Sequence, residues 1–216
     1  MSDVTIERVP KGRLGMWLLI AGELIIFGGF IACYALARFE NVGGENMFGH
    51  TVLGNFGSEN AAGFTTMWIG ALNTVILLLS SFTVVKAHEA SLNNDTAGIT
   101  KYLSMTLIGA VAFLTIKFSL EWAHDFHEGW SIVSSKHTAG AEALSEPMVA
   151  SLFWSYYFLM TGFHGLHVII GAVVIFIVMM GARKGKNLHR VELAGLYWHM
   201  VDLIWIFLFP MFYLAQ

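Results

Sequence analysis

Hydrophobic positions in this chain fall in long unbroken runs, separated by polar stretches. Five runs reach the length of about 20 mostly apolar residues that a membrane-crossing helix needs. They cover roughly 14–38, 66–86, 102–122, 150–182 and 194–215. The fourth is longer than the hydrocarbon alone requires, which predicts a helix that tilts or projects beyond the membrane. A closed β-barrel is excluded, because its strands would alternate apolar and polar residues. The expected fold is all-α: a polytopic bundle of five transmembrane helices in one domain, 14–216, behind a polar tail at 1–13. That tail, "MSDVTIERVPKGR", is mixed in charge. The apolar run after it is too long for a signal peptide and is read as a retained first span.

Composition agrees with the pattern. Of the 216 residues, 56% are hydrophobic and only 12% charged, too few charges to keep a soluble surface wet. The net charge of -3 gives no pointer to nucleic acid. The single cysteine, Cys33, lies in an apolar run and leaves no disulfide framework. Lysine and arginine set the direction of the helices. Arg8, Lys11, Arg13, Lys86, Lys101, Arg183, Lys184, Lys186 and Arg190 fall on one side, and Arg38 and Lys136 on the other. The richer side is cytoplasmic, so the N-terminus is expected inside and the C-terminus outside. The two longest connections, 39–65 and 123–149, then face outward and carry most of the remaining acids and histidines.

Ionisable groups within spans are expensive in lipid and become functional candidates by default. Here they are Glu23, Lys117, Glu121, His164, His167, His199 and Asp202. Glu23 lies nine residues into its span, about 14 Å deep at the helical rise. His164 and His167 share one helical face, as do His199 and Asp202, both at i, i+3 spacing. These five residues are expected at one depth, where Gly162, Gly165 and Gly171 let helices approach closely. Three readings compete: a hydrogen-bonded network that fixes helix register, a metal site on His164, His167, His199 and Asp202, and proton handling at Glu23. The metal reading has the ligand types but no supporting motif such as HExxH. The proton reading rests on the cost of a bare carboxylate charge in hydrocarbon. Lys117 and Glu121, one turn apart near the outer end of the third span, are expected to pair, or Lys117 to snorkel outward. "HDFHEGW", His124 to Trp130, reads as a solvated interfacial loop rather than a metal site. Trp122, Trp130, Trp154, Tyr156 and Tyr157 suggest an outer aromatic belt, and Tyr197 and Trp198 an inner one. Pro210 should free a carbonyl near Ile206 and kink the last helix.

Two C-terminal motifs, "TGFHGLHVIIG" (Thr161 to Gly171) and "YWHMVDLIWIFLF" (Tyr197 to Phe209), strongly resemble subunit III of the A-type heme-copper oxidases. Weaker matches follow in the family's order: "GMWLLIAGELIIFGGFIACYAL" with Glu23 at the buried carboxylate, "NTVILLLSSFTVVKAHEA" with its paired serines, and "FLTIKFSLEWAH" with Glu121 at the acidic position. The larger family members have seven helices, and this chain resembles the five-helix bacterial form that lacks the first two. Lys117 and Pro210 depart from the usual pattern. The resemblance implies an accessory subunit of a proton-translocating terminal oxidase in a bacterial plasma membrane, without an active site or metal of its own. Haem and copper would lie in partner subunits. The implied partners are oxidase subunit I, by direct packing, subunit II in the same complex, structural phospholipid, and a respiratory supercomplex. Subunit III of a quinol oxidase or the accessory subunit of nitric oxide reductase would look nearly the same. A stand-alone proton or small-solute transporter built on Glu23 is the alternative from another class, and the inverted repeats that would favour it are absent from the sequence.

The charge split makes a direct prediction. A cysteine placed at Gly185 should react only with a membrane-impermeant thiol reagent supplied from the cytoplasm. One placed at Gly140 should react only from outside, and the reverse pattern would overturn the topology.

Overall fold

The computed structural model describes residues 11–40, 61–123, 146–185 and 188–214. Among these, every regular element is helical. Helix α1 spans Lys11–Glu40, α2 Ala61–Leu92, α3 Thr96–Ile116, α4 Glu146–Ala182 and α5 Arg190–Phe209. Two of them continue in a wider π-helical turn, α3 through Lys117–Trp122 and α5 through Pro210–Leu214. All five are long and apolar enough to cross a membrane. Helix α4, at 37 residues, is about 55 Å long at 1.5 Å per residue, well beyond a hydrocarbon layer of about 30 Å.

The helices outrun their apolar cores where the sequence caps them. Between α2 and α3 the chain reverses in a few residues. Asn94 takes a left-handed φ of 54°, a conformation asparagine tolerates. Asp95 then caps α3, its carboxylate accepting from the backbone N–H of Ala97 at 3.1 Å and of Gly98 at 3.0 Å. Gly98 is required there, since a Cβ would lie 2.3 Å from the Asp95 carboxylate oxygen. Pro210 marks the start of the second π turn. It has no N–H to give the carbonyl one turn earlier, and the one-residue-longer spacing of a π turn can supply a donor in its place.

Helices α2, α3, α4 and α5 pack in a closed ring, α2 on α3, α3 on α4, α4 on α5 and α5 on α2. Side-chain contacts show each neighbouring pair to be antiparallel. Thr83 meets Thr106 at 2.8 Å while Gly109 lies against Ser80. Ser104 bonds Met179 Sδ at 3.3 Å, while Lys117 reaches Tyr157 at the other end of the α3–α4 seam. Helix α1 lies outside the ring, against α5 and α4. Arg13 pairs with Glu192 at one end and Tyr34 packs on Phe212 at the other, so α1 runs parallel to α5. The outward faces are apolar, with Ile25, Ile108 and Leu18 exposed, as expected where the solvent is hydrocarbon.

The aromatic residues correct one expectation. Tyr157, Tyr197 and Trp198 are buried in the bundle rather than set out as belts. Trp198 donates from its indole N–H to Ser80 at 3.0 Å, and its ring lies where a Cβ on Gly171 would come within 3.0 Å. Trp130 and the "HDFHEGW" segment lie outside the described residues, as does the side chain of Trp154.

Close approach at glycine makes the ring sensitive to single methyl groups. A Cβ at Gly109 would meet Ser80 Cβ at 2.9 Å, whereas one at Gly28 meets nothing within 4 Å. Gly109→Ala should lower the thermal unfolding midpoint in detergent, by the equivalent of roughly 1–3 kcal/mol of overpacking. Gly28→Ala should leave it unchanged or raise it, since alanine favours helix by about 1 kcal/mol. Equal midpoints for the two variants would contradict this packing.

Candidate functional site: buried polar groups between the helices

Glu23 on α1 and His167 on α4 meet directly. His167 Nε2 lies 3.0 Å from Glu23 Oε2. The other ring nitrogen, Nδ1, is 2.8 Å from the carbonyl oxygen of Phe163. A carbonyl only accepts, so Nδ1 must carry a hydrogen. Phe27 and Phe163 flank the imidazole, with ring centroids 5.5 and 4.9 Å away. The pair is thus walled by aromatic rings, and the Glu23 side chain keeps some exposure at the α1 face.

His199 and Asp202 lie on the side of α5 that faces α2. His199 Nδ1 is 2.5 Å from the Ser81 hydroxyl, and Asp202, one turn further along, is buried. Because α1 runs parallel to α5, Glu23 falls near the level of Asp202. The depth is common, but the directions differ: Glu23 and His167 face one another, while His199 faces α2. His164 is separate again. Its ring stacks on Trp205 with centroids 5.2 Å apart and an interplanar angle of 30°, and Phe113 packs edge-on at 5.8 Å. With His199 on Ser81 and His164 on Trp205, the four residues considered as metal ligands do not converge. Among the described residues no group of three His, Cys, Asp or Glu side chains gathers as a metal site would require.

Lys117 does not snorkel. It is 3% exposed, and its ammonium group donates to Glu121 Oε2, to the Tyr157 hydroxyl at 2.9 Å and to the Tyr213 hydroxyl at 2.6 Å. Three N–H groups thus meet three oxygens. Both tyrosines in turn donate to Glu121, Tyr157 at 3.2 Å. The rings of Tyr157, Trp205 and Tyr213 surround the cation at 4.8–5.3 Å. A bare ion pair at this burial would lose several kcal/mol per ion in desolvation, and the extra hydrogen bonds and ring faces offset that loss. Lys117 and Glu121 stand in the first π turn and Tyr213 in the second, so both irregular turns serve one cluster. Tyr213 and Ser81 escape a reading based on charge alone. The signal for Tyr213 was Pro210 three residues earlier, which redirects the side chains after it.

This arrangement accompanies an unambiguous kinship. Residues 4–216 match the model of the family described as cytochrome c oxidase subunit III. The chain belongs to the cytochrome c oxidase subunit III family. It is 33% identical to the probable cytochrome c oxidase subunit 3 of Rickettsia bellii, over 96% of this chain and 70% of that one. Against cytochrome c oxidase subunit 3 of Synechocystis the identity is 30%, over 93% and 74%. Against that of Bacillus subtilis it is 29%, over 99% and 90%. The chain nearly spans the Bacillus protein and leaves almost a third of the Rickettsia protein unmatched.

The two buried glutamates should differ chemically. Glu23 touches one imidazole and opens to the lipid side of α1, whereas Glu121 is enclosed by Lys117 and two tyrosines. A hydrophobic carbodiimide should label Glu23 at neutral pH and spare Glu121. Mass mapping that places the label on Glu121 and never on Glu23 would contradict this difference.

Proposed function

We propose that this chain is the non-catalytic subunit III of a bacterial heme-copper terminal oxidase, sited in the plasma membrane with its N-terminus in the cytoplasm. It packs on subunit I beside subunit II, holds phospholipid against its helices, and supports proton uptake by the catalytic subunit. Haem and copper belong to those partners. The electron donor, cytochrome c, another c-type carrier or a quinol, meets the complex elsewhere.

Membership of the family over residues 4–216 carries the reading. The Glu23–His167 contact adds a physical reason for the proton role. An acid and an imidazole 3.0 Å apart place two protonatable groups side by side within the spans, where an isolated charge would be costly.

The test is selective removal of this subunit from the purified complex. The haem spectrum and the first electron-transfer steps should be retained. Sustained turnover should decay sooner, and proton uptake should slow more steeply as pH rises, because fewer protons then replenish the uptake site. Unchanged turnover lifetime and pH profile after removal would defeat the supporting role. Haem or stoichiometric copper bound to the isolated subunit would defeat the non-catalytic one.

A further inference from the structure

The centre of the four-helix ring, at the level of Trp205, is unusually polar. His164 points into it from α4 and is fully buried, with neither ring nitrogen bonded among the described residues. Asn73 is fully buried on α2, diagonally across the ring, and its amide nitrogen and oxygen are both unbonded in the same sense. Trp205 ties the two together. Its ring stacks on His164, and its N–H donates at 3.0 Å to Thr74, the residue after Asn73. Lys117 Nζ lies 5.3 Å from the centroid of the same indole. Beside it Glu121 uses one carboxylate oxygen for Lys117 and the tyrosines, while the other, Oε1, is buried without a bond.

Five buried polar atoms on three helices are therefore linked through Trp205 and Lys117. Left dry, each unsatisfied group costs on the order of 1–3 kcal/mol, and no bulk water can reach the middle of the bundle. Their chemistry selects what fits. A neutral imidazole offers one donor and one acceptor, asparagine offers two donors and an acceptor, and Glu121 Oε1 only accepts. A bare cation would satisfy the acceptors and repel the donors, and a small anion would do the reverse. Water both donates and accepts, and buried waters typically bind about three such groups.

We propose that Asn73, His164 and Glu121 Oε1 line an internal water-binding site at the core of the bundle, contiguous with the Lys117 cluster. His164 and Asn73 are its principal anchors, and the site hydrates the Glu121 carboxylate oxygen that Lys117 and the tyrosines leave unbonded. The inference is independent of the oxidase reading, since it concerns the interior of this chain alone.

The decisive measurement is a cryo-electron microscopy map of the intact complex, at a resolution that resolves ordered water. Discrete density within hydrogen-bonding distance of a His164 ring nitrogen and of the Asn73 amide supports the site. Close-packed side chains with no such density overturn it. Variants give a second readout with a definite sign. Removing a dry orphan stabilises, whereas removing a water anchor strands its neighbours. His164→Phe should therefore lower the thermal midpoint of this subunit, by roughly 2–4 °C for each fivefold loss in its folding equilibrium. His164→Gln, which keeps a donor and an acceptor, should recover part of the loss. A midpoint raised by His164→Phe would show the pocket to be dry and end the proposal.

Discussion

Hydrocarbon cannot form a hydrogen bond, and that constraint organises this bundle. Water no longer drives apolar faces together, because the lipid is as apolar as leucine. A polar side chain turned inward, by contrast, must find its partner within the protein. In this chain the partners sit on neighbouring helices: Ser80 with Trp198, Thr74 with Trp205, Thr83 with Thr106, Ser81 with His199. Each such contact fixes the rotation and register of two helices at once. Glycines at 109, 171 and 195 face Ser80, Trp198 and Val84 across the seams and allow the close approach that those bonds need. The serines and threonines of α2 thereby make it the reference against which α3 and α5 are set.

The two buried acids solve the same problem in different ways. Glu121 keeps its charge company with a lysine, and the lysine then needs acceptors for its remaining N–H groups. Tyr157 and Tyr213 supply them and in turn donate to one oxygen of the carboxylate, which interlocks the four side chains. Such interlocking rigidifies, because moving any member strands the others. Glu23 meets a single imidazole and keeps some exposure. The first arrangement suits a fixed joint between the ends of three helices, and the second a simpler contact between two.

The spans were legible because a contiguous apolar run is a strong signal that needs no partner to be recognised. Their ends were less so. The second and third helices extend past 86 and begin before 102, because the α-helical backbone continues beyond the hydrocarbon until Asn94 and Asp95 stop it. What faces what was scarcely legible. In water an apolar stripe points to the core, but here apolar residues line both the lipid face and the interior, so periodicity carries no direction. Amphipathic rings such as Tyr197, Trp198 and Tyr157 therefore read as interfacial in the pattern, although they fill the core. The shared depth of Glu23 and His167 followed from counting residues. That the pair would close between α1 and α4, while His199 turned to α2, depended on helix azimuths that the pattern does not contain.

Helix α1 makes the Glu23 contact consequential. It lies outside the ring and is held at three heights: Arg13 on Glu192, Glu23 on His167, and Tyr34 on Phe212 and Tyr156. The first is partly exposed and therefore weak. The last is aromatic packing, which tolerates sliding. Between them, Glu23 meets His167 at 3.0 Å, a contact that ties the rotation of α1 at mid-height to α4, whereas Arg13 and Tyr34 tie its two ends to α5. Helix α1 is thus seated on both helices of the α4–α5 seam, and a rotation that kept its end contacts would still separate Glu23 from His167.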